Sequence, residues 1–146
     1  MNLHSFSTAL LSVFFAASTF ALAPGERVDN FRLLDETGSS HELYYFSDTK
    51  AFVLMAHNSS CQSMQESVAA LASMQASYAD QGVEFMLINS DLRDDRSAIQ
   101  ASVADQNIAA PVLMDSTQII GESLGAISAG DTLVINPSNW QVAYFG

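Results

Sequence analysis

The order of two apolar runs and the stretch between them constrains the fold of this chain more than any other feature. The runs at residues 51–56 (AFVLMA) and 83–89 (VEFMLIN) are short, bounded by polar residues, and typical of buried strands. The segment between them, residues 61–81, has helical length, and one helical stripe of it carries apolar side chains. These side chains belong to Met64, Val68, Leu71 and Tyr78. A strand, a helix and a second strand in this order predict a parallel pair in an α/β sheet.

The flanking segments extend this pattern. "PGERVDNFRLLDETGSSHELYYF" alternates apolar and polar residues around a glycine-bearing turn, which indicates an N-terminal arm or hairpin. Asp94 and Asp95 are expected to open a second helix, and Gly125 to end a third, short one. The segments VLMD (112–115), LVIN (133–136) and VAYF (142–145) are expected to be strands. We therefore expect a central sheet of mixed parallel and antiparallel strands, flanked by helices.

The first residues are typical of a secretory signal peptide. An apolar run from about residue 9 to residue 20 ends in Thr19-Phe20-Ala21, which places small residues at positions −3 and −1 of a cleavage site before Leu22. The run is too short for a comfortable membrane span, so an uncleaved N-terminal anchor is the lesser alternative. No membrane span is expected after cleavage. The expected organisation is a signal peptide at residues 1–21 and one domain at residues 22–146, in an exported, periplasmic or secreted protein.

The net charge of the chain limits the kinds of molecule that it can bind. Sixteen Asp and Glu face five Lys and Arg, which gives a net charge of −11. A surface this acidic repels phosphate backbones and anionic lipids, so nucleic-acid binding is not expected.

The chain contains one cysteine, Cys61, in the segment HNSSCQSM. An exported protein meets an oxidising environment, but a single cysteine has no partner for a disulfide within its own chain. Cys61 is therefore a free thiol, half of an intermolecular disulfide, a metal ligand or a buried apolar residue. If Cys61 is functional, we expect it in the first turn of the helix at residues 61–81, where backbone N–H groups favour a thiolate and lower its pKa. If it is a buried residue, we expect its sulfur to face apolar side chains under the sheet and its pKa to be raised.

Taken in order, several segments resemble the thioredoxin-like superfamily, and most closely its redoxin branch of alkyl hydroperoxide reductase/thiol-specific antioxidant domains. APGERVDNFRLLDETGSSHEL is similar to the extended arm of redoxins, AFVLMAHNSSC to the first core strand and active-site loop, and TLVINPSNWQVAYFG to the terminal hairpin. The resemblance implies a thioredoxin-like fold with Cys61 as the attacking cysteine. It also implies a helix after the hairpin. Because the sequence ends at Gly146, we expect this C-terminal helix to be missing; either the domain is truncated or something else covers that face of the sheet.

Four positions depart from the pattern of the family. Met64 stands where dithiol members carry a second cysteine, which excludes a two-cysteine shuttle within this chain. Leu54 and Asn58 stand where peroxidase members carry proline and threonine or serine, and Asn58 is a candidate hydrogen-bond partner for a peroxide. Gly130 stands at the position of the cis-proline that faces the cysteine.

His57 and Met64 complete the candidate site. His57 either stabilises a thiolate or ends its strand at the surface, and the second is the expectation. His57, Cys61 and Met64 are also soft ligands suited to Cu(I), which is a minority hypothesis; otherwise no metal or cofactor is expected.

The sequence therefore predicts an exported redoxin-domain protein with single-cysteine thiol redox activity, either antioxidant or thiol–disulfide oxidoreductase. Its partner would be an external thiol reductant or a disulfide-containing protein. The first alternative is a catalytically silent thioredoxin-like module that binds a protein, and the second is a copper-handling protein.

Overall fold

The computed structural model describes residues 21–126 and 128–146. Apart from Ala21, the predicted signal peptide lies outside the described residues.

A five-stranded sheet forms the centre of the domain. Its strands are β3 (Ala51–His57), β4 (Val83–Asn89), β5 (Val112–Met114), β6 (Thr132–Asn136) and β7 (Gln141–Phe145), after an N-terminal hairpin of β1 (Arg32–Leu34) and β2 (Ser40–Glu42). The strand order is β5-β4-β3-β6-β7. The pairs β3–β4 and β4–β5 are parallel, whereas β3–β6 and β6–β7 are antiparallel. The predicted mixed sheet is therefore confirmed, as is the N-terminal hairpin.

Within the described residues, a short 3-10 helix (Leu43–Phe46) links β2 to β3. Three α-helices connect the other strands: α1 (Met64–Tyr78), α2 (Arg96–Gln106) and α3 (Ile119–Leu124). The start of α2 follows its sequence signal, because the Asp95 side chain accepts a hydrogen bond from the backbone N–H of Ala98. The end of α3 also agrees with the prediction, because Gly125 caps this helix in the left-handed conformation. Among the described residues, no helix is long and apolar enough to cross a membrane.

The predicted bounds of α1 are wrong at both ends. The chain makes two tight turns before the helix, in which Cys61 N–H donates to the Asn58 carbonyl and Met64 N–H donates to the Cys61 carbonyl. The helix therefore begins at Met64 rather than at Cys61. It ends at Tyr78, and Gly82, expected to stop it, instead lies in the turn before β4 with a φ of +75°.

The sheet separates two apolar layers. Alternate side chains of a strand point to opposite faces, so Val53 and Met55 pack with α1 and α2, while Phe52, Leu54 and Ala56 pack with the N-terminal arm and the end of α3. Residues 58–63, which we call the thiol loop, follow β3, and residues 90–95, the β4–α2 loop, follow β4. Because β3 and β4 are parallel neighbours, the two loops lie side by side at the same edge of the sheet.

Candidate functional site

The sulfur of Cys61 lies in the thiol loop, two residues before the N-cap of α1. The side chain is partly buried and packs against the apolar layer of α1 and α2. Its Sγ lies 3.0 Å from Oγ of Ser63. The Ser63 hydroxyl, together with the backbone N–H groups of Ser63 and Met64, lowers the pKa of the Cys61 thiol, and partial burial opposes this shift. The expected N–H groups are thus present at the sulfur although Cys61 is not in the helix.

Asn58 holds the first half of the thiol loop. Its Oδ1 accepts hydrogen bonds from the backbone N–H and the hydroxyl of Ser60, at 2.9 and 2.8 Å. Its Nδ2 donates to Oδ2 of Asp91 at 2.7 Å. Because both ends of the amide are engaged, Asn58 supports the loop, and its part in binding a peroxide stays a prediction.

Two carboxylates of the β4–α2 loop tie that loop to the thiol loop. Asp94 Oδ2 accepts from the backbone N–H of Ser59 at 2.9 Å and from Nδ2 of Asn89 at 2.8 Å. Asp91 accepts from Asn58 and is also bound by the Arg93 guanidinium through two contacts of 2.6 and 2.9 Å. These bonds, those of Arg93 above all, hold the pKa of Asp91 well below its usual range. From the sequence, Asp94 was expected only to open α2. The place of Asp91 and Asp94 just after a buried strand was the signal that they stand beside the loop of the neighbouring parallel strand.

His57 is buried, so its predicted place at the surface is wrong. Its side chain points to the α1–α2 face, where Nε2 lies 3.1 Å from Oγ of Ser102 and Nδ1 lies 3.1 Å from Nδ2 of Asn89. The orientation of the Asn89 amide is fixed, since its Oδ1 accepts from the Asp91 N–H. Nδ1 of His57 therefore accepts, and the ring is neutral with its proton on Nε2. Burial lowers the pKa of His57, and the nearby Asp94 carboxylate partly offsets this effect.

Gly130 lies beside α1, at the end of the loop that precedes β6. Its N–H donates to the Ala56 carbonyl at 2.9 Å, and the Ala56 N–H donates to the Asp131 carbonyl at 2.8 Å. Its φ is +95°, and a Cβ at this position would lie 3.3 Å from Oγ of Ser67. Among residues 21–126 and 128–146 there is no cis peptide bond. A glycine with positive φ thus takes the place of the expected proline and closes the loop onto β3.

The soft-ligand set is not assembled. Met64 is 1% exposed and lies in the core, and both ring nitrogens of His57 are hydrogen-bonded. Within the described part of the chain, no group of three or more His, Cys, Asp or Glu side chains is placed to hold a metal ion.

Among the described residues, no arginine side chain forms a hydrogen bond with the Cys61 sulfur. Arg93 binds Asp91 with a side chain that is 78% exposed, and Nη1 of Arg96 donates to the Asp35 carbonyl at 2.9 Å. The lowered pKa of Cys61 therefore comes from neutral donors rather than from a cation.

In the part of the chain that the structure describes, two cavities adjoin the thiol loop. The larger, about 470 Å³, lies on the α3 side of the sheet and is lined in part by Asn58, Asp91, Arg93 and Glu122. The smaller, about 170 Å³, includes Cys61 in its wall and lies towards the end of α2. A partly exposed thiol with a lowered pKa beside a small cavity is suited to attack an electrophilic sulfur or oxygen.

Comparison with known proteins identifies one matching family. The model of the AhpC/TSA family matches residues 24–143. No functionally curated protein matches the chain.

Solved structures share this fold. A hypothetical protein from Sinorhizobium meliloti superposes with a TM-score of 0.77 at 24% identity, covering 87% of this chain and 72% of that one. A protein assigned as the thiol:disulfide interchange protein DsbE from Chlorobium tepidum gives 0.75 at 20% identity, covering 86% and 85%. A secreted disulfide oxidoreductase from Mycobacterium tuberculosis gives 0.67 at 17% identity, covering 80% and 81%.

Proposed function

Because this chain belongs to the AhpC/TSA family and has a thioredoxin-like fold, we propose that it is a single-cysteine thiol–disulfide exchange protein with Cys61 as the nucleophile. One observation carries the proposal: Cys61 is partly exposed, and its sulfur lies 3.0 Å from the Ser63 hydroxyl, which lowers the pKa of the thiol. The thiolate is the reactive form of cysteine, so a lower pKa increases its fraction at neutral pH.

The reaction requires the Cys61 thiol, one external disulfide and one further external thiol. The Cys61 thiolate attacks one sulfur of an external disulfide, a new S–S bond forms, and the other sulfur leaves with the electron pair of the broken bond. Cys61 is thereby oxidised to a mixed disulfide and the leaving half is reduced to a thiol. A second external thiolate then attacks the mixed disulfide and returns Cys61 to its thiolate form.

The second external thiol is needed because Met64 occupies the position of a resolving cysteine. Met64 is buried and forms no disulfide, so the mixed disulfide is not resolved within the chain. The partner we propose is accordingly a thiol reductant or a disulfide-containing protein.

Disulfide exchange fits the site better than peroxide reduction does. A peroxide needs donors that stabilise the oxygen leaving as an anion. The amide of Asn58 is engaged by Asp91 and Ser60, and the Arg93 guanidinium is engaged by Asp91. When a disulfide is attacked, one of its halves leaves as a thiolate. A thiolate needs less stabilisation than an alkoxide or hydroxide, because thiols are much stronger acids than alcohols.

Mass spectrometry of the native protein tests the proposal. After incubation with bis(2-hydroxyethyl) disulfide at pH 7.5, Cys61 should carry one 2-hydroxyethanethiol adduct, which dithiothreitol removes. The Cys61→Ser variant should gain no adduct. If the wild-type thiol reacts only in urea, the exchange function is wrong and a catalytically silent binding module becomes the better account.

We also propose that the protein is exported and begins at Leu22 after cleavage. The apolar run before Thr19-Phe20-Ala21 supports this proposal. A chain beginning at Leu22 keeps the hydrogen bond in which the Leu22 N–H donates to the Leu124 carbonyl. Mass analysis of the protein from the producing cells should give an N-terminus at Leu22, whereas a cytoplasmic protein that retains residues 1–21 would contradict export.

A further inference from the structure

The cavity at the Cys61 sulfur, which we call the thiol groove, lies between the thiol loop and the last turn of α2. Its volume is about 170 Å³. One water occupies about 30 Å³ of the liquid, so the groove holds a group the size of about six waters. Every side chain in its wall is polar or is the thiol itself; the wall consists of Ser59, Ser60, Cys61, Gln62, Gln65, Ser102, Asp105 and Gln106.

The wall of the thiol groove carries negative charge and no positive charge. Asp105 is the only ionised side chain in the wall, which has no Lys, Arg or His. Asp105 and Gln106 also belong to the last turn of α2, which ends at Gln106. The carbonyl groups at the C-terminus of a helix carry a partial negative charge, so this end of α2 adds to the charge of Asp105.

The thiol groove also offers unpaired acceptors. Among the described residues, Oγ of Ser59 and Oε1 of Gln106 are buried and have no hydrogen-bond partner. Both residues belong to the wall of the groove. The amide nitrogen of Gln106 is already used, since it donates to Oγ of Ser102 at 2.8 Å. The free oxygen of Gln106 therefore suits an ammonium group, which only donates hydrogen bonds, better than a carboxylate, which only accepts them.

From size, charge and acceptors together, we propose that the thiol groove binds the amine-bearing arm of a small disulfide or thiol that reacts with Cys61. This inference rests on the proposed exchange function and names its substrate class: aminothiols and their disulfides, in preference to carboxylate-bearing ones. Cys61 attacks the sulfur that carries the bound arm, so this half stays in the mixed disulfide with its ammonium group near Asp105. The other half leaves as a thiolate and takes a proton from water.

The test compares three disulfides of similar size: cystamine, which is a dication; bis(2-hydroxyethyl) disulfide, which is neutral; and 3,3′-dithiodipropionate, which is a dianion. The rate of adduct formation on the full chain is measured at pH 7.5 and 150 mM salt, which screens distant charges beyond about 8 Å. We expect cystamine to react fastest and the dianion slowest.

Matched variants separate the thiol groove from the net charge. Asp105→Asn should lower the cystamine-to-neutral rate ratio by about twofold to fivefold, the range for one exposed ion pair. Asp80→Asn makes the same change of net charge at the far end of α1 and should leave the ratio unchanged. Gln65→Lys adds a cation to the wall and should raise the relative rate of the dianion.

The outcomes distinguish the two proposals. If no disulfide reacts with the native thiol, the exchange function itself fails. If all three react but Asp105→Asn gives the wild-type ratio, or Asp80→Asn shifts the ratio equally, exchange stands and the thiol groove is not a subsite for an amine.

Discussion

The backbone N–H of Ser59 donates a hydrogen bond of 2.9 Å to the carboxylate of Asp94, which lies 35 residues later in the chain. The same carboxylate oxygen accepts from Asn89, whose amide also donates to His57. The thiol loop is thus held by a polar network on the neighbouring strand and loop, and not by the start of α1 alone. The following predictions concern this network and the thiol it positions.

Replacing Asp94 by alanine should destabilise the fold and loosen the thiol loop. The change leaves the Ser59 N–H and one N–H of Asn89 without an acceptor, and such a loss costs about 1–3 kcal/mol of unfolding free energy. Urea unfolding measures this loss. Asp80→Ala, at an exposed position after α1, is the control and should stay within about 0.5 kcal/mol of wild type. Equal stabilities of the two variants would show that the Asp94 bonds contribute nothing.

Protonation of His57 should reduce stability in mildly acidic solution. The pKa of His57 is lowered in the folded protein, so the unfolded chain binds a proton first as pH falls below about 6.5. Its contribution to stability is therefore complete above pH 6.5 and is lost as pH falls from 6.5 towards the folded pKa. Unfolding free energy measured between pH 8 and 5 should show this decline in wild type.

The decline should disappear in His57→Gln and persist in His41→Gln, because His41 lies elsewhere and bonds Asp35 at 2.7 Å. The same pH dependence in both variants would contradict the assignment to His57.

The fold was largely predictable from the sequence, whereas the individual hydrogen bonds of the polar network were not. Apolar runs mark β3 and β4 directly, because strands buried on both faces need uninterrupted apolar residues. Asp95 and Gly125 mark helix ends by local chemistry. The contacts of Asp94 with Ser59 depend on the register between β3 and β4, which pairs His57 with Asn89. No local pattern encodes that register.

The true start of α1 was missed for a related reason. Ser59 and Ser60 are good N-cap residues by type, which agrees with a helix that begins at Cys61. In the structure Ser59 N–H is bound by Asp94 and Ser60 is bound by Asn58. These tertiary hydrogen bonds hold residues 58–60 in a turn, so the helix begins only at Met64.

Gly130→Ala should destabilise the protein more than Gly25→Ala. Both glycines have a φ near +95°, so each alanine has a similar backbone cost of about 1–2 kcal/mol. A Cβ at Gly130 would also lie 3.3 Å from Oγ of Ser67, whereas a Cβ at Gly25 meets nothing within 4 Å. Thermal or urea unfolding of the two variants measures the difference, and equal losses would mean that the Gly130 loop moves away from α1 without cost.

Ser63→Ala should raise the pKa of Cys61, because the Ser63 hydroxyl makes the largest contribution to lowering it. At pH 7 alkylation of the thiol should then be slower than in wild type, and at pH 10 the two rates should converge. Ser63→Thr keeps a hydroxyl and should restore most of the rate. Ser123→Ala removes a hydroxyl that bonds only within α3 and is the matched control. A slower rate at every pH would indicate an altered loop rather than a shifted pKa.

The most direct test of the central claim, that Cys61 is an activated and accessible thiol, is the rate of iodoacetamide alkylation of the native protein between pH 5 and 10. We predict a single titration with an apparent pKa below about 8.5, the value of an unperturbed cysteine, and Cys61→Ser should take up no label. An apparent pKa above 8.5, or labelling that requires unfolding in urea, would contradict the claim.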